Sequence, residues 1–329
     1  MVYQKTVRSA YQPPARITAT DGRSLINFSL YLDCLITYDM NTRRQFLKQS
    51  SIFTAAMFVM PEDAFSLARK RYGVQLYTLR KELDANPTET IISVAKLGYT
   101  DVETYGYNNG KWFGFTVDEF RKLLKANKLT STSGHTFGGQ FFLTETNWEE
   151  KWKQAVQDSK AIGQEFIVVP YLDNNHRSID TYKKLAPLLN KAGEMAKQGG
   201  LKLAYHNHDF EFAVQDGQTG FEILTANTDP GLVSFELDIY WATKAGHNAI
   251  DLFNKYPGRF TMWHVKDMDN TPEKKFTEVG NGVIDFPAIF KQAKLSGMKY
   301  WFVEQDVCPG SPLDSIKTSI TNLKEKILK

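Results

Sequence analysis

One phrase recurs through the chain and constrains it more than any other feature. An amphipathic helix closes at a glycine, and a short apolar strand starts a residue or two later. The phrase reads VAKLGYTDVETYG from Val94, SKAIGQEFIVVPY from Ser159, AKQGGLKLAYHNH from Ala196 and AKLSGMKYWFVEQD from Ala293. A glycine just past a helix supplies the left-handed turn that ends it. Glu165–Val169, Leu201–Tyr205 and Tyr300–Val303 are short, apolar and bounded by turns, as buried parallel strands are. Further strands are predicted near 72–77, 101–105, 130–134, 233–237 and 260–264, with helices between them. One helix opens on the capping box Thr116-Val117-Asp118-Glu119, and another at Asn147 with Glu150 three residues on. The strand at 130–134 is the weakest of the eight, because LTSTSGH is polar. Strand and helix alternate over about 260 residues, which predicts a parallel α/β protein. Eight such units favour a single closed (β/α)8 TIM barrel over an open sheet. An open sheet would want a glycine-rich phosphate loop after its first strand, and GVQLYTLRKEL has none.

The barrel is expected to occupy residues 70–329. Before it, Met40-Asn41-Thr42-Arg43-Arg44-Gln45-Phe46-Leu47-Lys48 resembles a twin-arginine export signal. The apolar run Ser51–Met60 is too short to cross a bilayer, which needs about 20 residues, but suits a signal peptide. Ser66-Leu67-Ala68 offers a small-x-small cleavage site. The expectation is a signal peptide over 40–69, with 1–39 an unstructured upstream extension, and an exported, periplasmic protein. Residues 1–69 hold eight Lys/Arg and five Asp/Glu, so 32 of each remain in the barrel. The formal charge of +3 therefore belongs to the leader and argues nothing for nucleic acid. Two cysteines, Cys34 and Cys308, exclude a disulfide framework or a cysteine-rich metal knuckle.

In a barrel of this kind the working face lies at the C-terminal ends of the strands. Those ends carry Gln75 and Tyr77; Glu103 and Tyr105; His135; His206 and His208; Glu236, Asp238 and Trp241; His264, Lys266 and Asp267; Glu304 and Asp306. Four of the six histidines fall on this one face, and His176 and His247 lie elsewhere. Residues i and i+2 of a strand point the same way, so His206 and His208 share a side. Polar groups closing apolar strands are costly unless paired or ligated. Four consecutive strands ending in ligand-type residues suit a divalent metal with positions open to substrate. The aromatic residues Tyr77, Tyr105, Trp112, Phe113, Phe210 and Trp241 are expected near the same face, where flat rings suit sugar C–H surfaces.

With DVETYGY, LAYHNHDFEF, FELDIYW, WHVKDMD, FVEQD and the segment EVGNGVIDFPAIF, residues 70–329 resemble the xylose-isomerase-like barrel superfamily. It comprises sugar (phosphate) isomerases and epimerases, and also inosose dehydratase and endonuclease IV. The resemblance implies a metal held by four strand ends, here His206, Asp238, His264 and Glu304. The first of these departs from the epimerases, which carry glutamate where His206 stands. A ligated imidazole is a poor base, so one glutamate of their proton-transfer pair is missing. Glu304 remains, with Glu103, His208, His135 and Lys266 as candidate partners. Gln75, Tyr77, Tyr105, His135 and Trp241 are the expected substrate contacts. The implied cofactor is a divalent cation (Mn, Zn, Mg or Co). The implied activity is isomerisation or epimerisation of a sugar by proton removal next to a carbonyl. The alternative is a lyase or dehydratase acting on a keto-sugar or keto-glycoside, since inosose dehydratases share the YHxH form of strand five. A nuclease and a non-catalytic sugar-binding barrel are the more remote readings. The partners expected are a small carbohydrate and, in a homo-oligomer, further copies of the chain. Nucleic acid is not expected, nor stable membrane association after signal removal.

Overall fold

The computed structural model describes residues 71–329. The expected extension at 1–39 and the leader at 40–69 lie outside the described residues. Eight parallel strands form one sheet: β1 Gly73–Gln75, β2 Asp101–Thr104, β3 Thr130–Gly134, β4 Phe166–Val169, β5 Lys202–His206, β6 Val233–Asp238, β7 Phe260–Val265 and β8 Tyr300–Val303. They are ordered β3-β2-β1-β8-β7-β6-β5-β4. An isolated parallel bridge from His135 to Val168 brings the end of β3 to β4, so the barrel is nearly closed. Each strand overlaps the stretch where the sequence predicts one.

The strands are connected by helices that include α1 Pro87–Lys96, α2 Val117–Ala126, α3 Trp148–Ile162, α4 Ile179–Gln198, α5 Gly220–Asn227, α6 Ala249–Lys255 and α7 Phe286–Lys291, and Pro312–Asn322 follows as α8. Local chemistry sets their ends. Thr116 and Glu119 form the full capping box of α2. Asn147 stands at the N-cap of α3, but its side chain makes no capping hydrogen bond. Gly163 ends α3 at φ 102°, a conformation that L side chains rarely adopt.

Alternation along the strands separates two cores. Trp263 of β7 faces outward, stacking on Phe253 of α6 with ring centroids 5.1 Å apart and 7° between planes. Its neighbours Met262 and His264 therefore face inward. Met262 joins Phe166, Val168, Ala204 and Phe302 in a small buried cluster of its own, which fills the barrel interior. The helices pack around the outside on a much larger cluster that includes Val74, Val102, Leu203, Phe235, Leu237 and Trp301. Trp112, expected near the working face, belongs to this outer core instead. It is buried and packs against Tyr107 and Phe120, because a short hairpin, Lys111–Trp112 with Phe115–Thr116, folds it over the start of α2.

Candidate metal centre

The inner column of each strand turns polar at its C-terminal end. His206 on β5, Asp238 on β6, His264 on β7 and Glu304 just past β8 are all buried, and each offers one donor atom within 4.8 Å of the other three. Nδ1 of His264 lies 2.8 Å from Glu304 Oε2 and 3.2 Å from His206 Nε2. Asp238 Oδ2 is 3.4 Å from His206 Nε2 and 3.9 Å from His264 Nδ1. Each imidazole is oriented from behind. His206 donates from Nδ1 to the carbonyl of Pro170 at 3.1 Å, which leaves Nε2 as a lone pair toward the cluster. His264 turns Nε2 to Glu103 Oε2 at 2.5 Å, which directs Nδ1 to the same place.

The donor set fits a divalent cation of the borderline class, with two imidazoles and two carboxylates. Asp238 Oδ2 is buried and accepts no hydrogen bond, although Lys266 Nζ lies 3.0 Å away. Lys266 is itself buried, 2.7 Å from Glu304 Oε2 and 3.1 Å from Asp306 Oδ2. Burial opposes its charge, but Asp238, Asp306 and Glu304 outweigh that and keep it an ammonium. Burial likewise opposes ionisation of Glu304, but Lys266 and His264 hold it well below the usual carboxylate range. Burial and the neighbouring imidazoles of His264 and His208 keep His206 neutral.

A deeper layer supports this one. Glu103 accepts hydrogen bonds from Gln75 Nε2 at 2.8 Å and Ser133 Oγ at 2.6 Å, besides facing His264. Burial would raise its carboxyl, yet His135 and His264 hold it down at about 2. His135 Nε2 lies 2.8 Å from Glu236 Oε2. Burial and the adjacent Glu103 push Glu236 up to about 7. Gln75 is fully buried, its amide oxygen accepting from the Tyr77 N–H at 3.0 Å, so its contacts are internal. The sequence names Glu236 at its strand end without giving it a role, and does not single out Glu211. The signal for Glu236 is its i−2 spacing from Asp238 on an inward face. Glu211 accepts from Tyr205 Oη and from the His208 N–H, at 2.7 and 2.8 Å, and so ties down the loop after β5. Asp267 also sits at a strand end, but its carboxylate accepts the N–H groups of Met268, Gly280, Gly282 and Ile284. It thereby anchors the EVGNGVID segment.

Two aromatic groups flank the mouth. Tyr77, 40% exposed, packs edge-on to Tyr105, which meets Phe113. On the other side, His208 stacks parallel to Phe210 and lies 5.5 Å from Trp241, with Tyr171 edge-on and 37% exposed. Enclosure among these rings and the nearby Lys266 charge hold His208 neutral, down to about 3. Its Nδ1 has no hydrogen-bond partner.

Residues 91–326 match the family described as xylose isomerase-like TIM barrel. An inosose dehydratase from Clostridium beijerinckii is 31% identical over 169 residues, which cover 45% of this chain and 55% of that protein. The chain thus spans about half the length of this curated relative. A solved structure of a sugar phosphate isomerase/epimerase from Parabacteroides distasonis is 27% identical, with a TM-score of 0.69, covering 80% of this chain and 96% of that one. The IOLI protein, solved with a bound zinc atom, superposes with a TM-score of 0.58 at 15% identity, over 78% of this chain and 98% of that one. This last likeness is one of fold.

Proposed function

The chain belongs to the xylose isomerase-like TIM barrel family, and from that premise we propose that it is a divalent-metal-dependent enzyme that removes a proton next to the carbonyl of a sugar, as an isomerase or epimerase. The observation that carries this reading is the convergence of His206, Asp238, His264 and Glu304 within 4.8 Å, beneath a mouth lined with aromatic rings. These four residues would hold the ion, whether Mn, Zn, Mg or Co. Bound there, it would polarise the sugar carbonyl and steady the developing enediolate oxygen.

The other groups take their roles from their settings. Lys266 stays charged and stands beside Glu304, where it can hold an oxyanion. Glu304, an ionised carboxylate at the ligand set, is the proposed proton acceptor, although Lys266 and His264 lower its basicity. His208, neutral, partly exposed and unpartnered at Nδ1, is its proposed partner, with a basicity that burial and Lys266 also lower. Glu103 accepts from Gln75 and Ser133 and faces His264, and acts on the sugar through His264. Tyr77, Tyr105 and Trp241 would meet the sugar, whereas His135 turns Nε2 inward to Glu236 and Glu103.

Three of the cations near the mouth are already engaged, which favours an unphosphorylated sugar. Lys266 is matched by three carboxylates. Arg80 donates to the carbonyls of Tyr77 and Asp306. Arg177 donates to Leu172 O and Tyr171 Oη. The leader at 40–69 and a periplasmic location go with this reading. Cell fractionation of Arg43→Lys/Arg44→Lys, expected to retain the protein in the cytoplasm, tests them.

Elimination is the second reading. The inosose dehydratase relative and the His-x-His end of β5 favour it, because Lys266 and His208 could pass a proton to a leaving group. Product analysis in heavy water with oxidised and unoxidised sugars tests both. Solvent deuterium at one carbon without loss of a substituent means isomerisation, and an unsaturated product means elimination. Absence of both with metal-loaded protein across such a panel would count against the proposal.

A further inference from the structure

His264 faces two donor sets at once. Its Nδ1 points to His206, Asp238 and Glu304. Its Nε2 points down the barrel to Glu103 Oε2 and, at 3.3 Å, to Glu236 Oε2. His135 Nε2 closes this lower set, 2.8 Å from Glu236 Oε2 and 3.4 Å from Glu103 Oε2. His135, His206, Glu236 and His264 also bring donor atoms within 4.8 Å of one another. Glu236 precedes Asp238 by two residues on β6, so its side chain faces the same interior from a backbone position about 6.6 Å deeper along the strand. We propose that the barrel holds a second divalent cation below the first, ligated by Glu103, His135 and Glu236, with His264 as the wall between the two ions.

One further observation supports this. Glu236 is fully buried, yet its Oε1 has no partner. A buried carboxylate oxygen in that state is costly unless a cation or donor meets it. The mixed imidazole and carboxylate donors suit Zn, Mn or Co better than Mg or Ca, which prefer oxygen alone. A ring that ligates through both nitrogens would hold its two ions farther apart than the roughly 3.5–4 Å of closely paired ions in two-metal enzymes.

The proposal rests on the upper site described above, and metal counting separates the two. The full chain is saturated with Zn²⁺ or Mn²⁺, desalted, and its metal per chain measured by mass spectrometry. Two ions are expected in the wild type, one in Glu236→Gln and one in His135→Gln. Asp238→Asn should lose the upper ion and keep the lower. With manganese, the wild type should show a spin-coupled resonance spectrum and Glu236→Gln the spectrum of an isolated ion. Cooperative thermal unfolding shows which variants are folded, and His135→Gln serves if Glu236→Gln is not. One ion in the saturated wild type overturns the second site alone. Two ions retained in both lower-set variants also overturn it. No ion in the wild type overturns the upper site as well.

Discussion

Nε2 of His206 and Nδ1 of His264 face each other at 3.2 Å, from strands that have β6 between them. Pro170 takes the other proton of His206, and Glu103 that of His264. The atom between them is then either a proton that His264 directs to Glu304 or a bound cation. Burial opposes charge on His264, but Glu236, Glu304 and Glu103 raise its pKa well above the ordinary range. In the metal-free protein the imidazolium therefore adds its positive charge to that of Lys266.

Asp238 divides its two oxygens. Oδ1 accepts from the Trp241 N–H at 2.9 Å and caps the helix Ile239–Lys244, while Oδ2 faces the metal donors. Asp238→Asn keeps the cap and replaces one ligand with an amide. Its affinity for Zn²⁺ by calorimetry should fall by more than the roughly 10–100-fold that loss of an outer-shell partner brings. An unchanged affinity would remove Asp238 from the ligand set.

Lys266 is the ammonium among Asp238, Glu304 and Asp306. Lys266→Met leaves those carboxylates without it, at a cost of about 3–5 kcal/mol. Added Mn²⁺ should restore much of that loss, because the cation meets two of the same carboxylates. Denaturant unfolding with chelator and with Mn²⁺ checks both halves. Equal losses under the two conditions would separate Lys266 from the metal centre.

Burial pushes the Glu211 carboxyl up to about 7, although Tyr205 and the His208 N–H oppose the shift. Between about 4.3, the value in an unfolded chain, and about 7, the folded state holds a proton that the unfolded state has released. The stabilisation this gives is complete below the lower value and is lost as pH rises through about 7, on the order of 3 kcal/mol in all. Glu211→Gln should flatten that slope. Parallel stability curves for the two proteins between about pH 4.5 and 7.5 would refute the assignment.

Tyr77 and Tyr171 stand on opposite sides of the mouth and are exposed. Stacking of this kind is worth about 0.5–1.5 kcal/mol, so Tyr77→Ala and Tyr171→Ala should each raise KM about two- to tenfold. The value of kcat should hold, because the rings bind substrate and transition state alike. A fall in kcat at unchanged KM would place them in the chemistry instead.

The barrel was legible because its signals are local. Helix, glycine and apolar strand repeat within a dozen residues, and the two-residue spacing of His206 and His208, Glu236 and Asp238, or His264 and Lys266 assigns each pair to one face. Even the polar strand β3 was placed, though why TSTSG tolerates burial is visible only in the fold. Ser133 donates to Glu103, and Gln164 donates to Ser131 Oγ and the Ser133 carbonyl. The sequence also marked His206, Asp238, His264 and Glu304 as a group through resemblance, but not the atoms each would present.

By itself, then, the order of residues determined which segments become strands, which side chains face inward and which ends carry ligand-type groups. Periodicity acts over a few residues and needs no partner. Only the tertiary structure decided that His264 would meet Glu103, 161 residues away, that Gln75 would brace that carboxylate and that Trp112 would leave the mouth for the core. Those outcomes depend on strand order, register and barrel closure, and packing between distant segments determines all three.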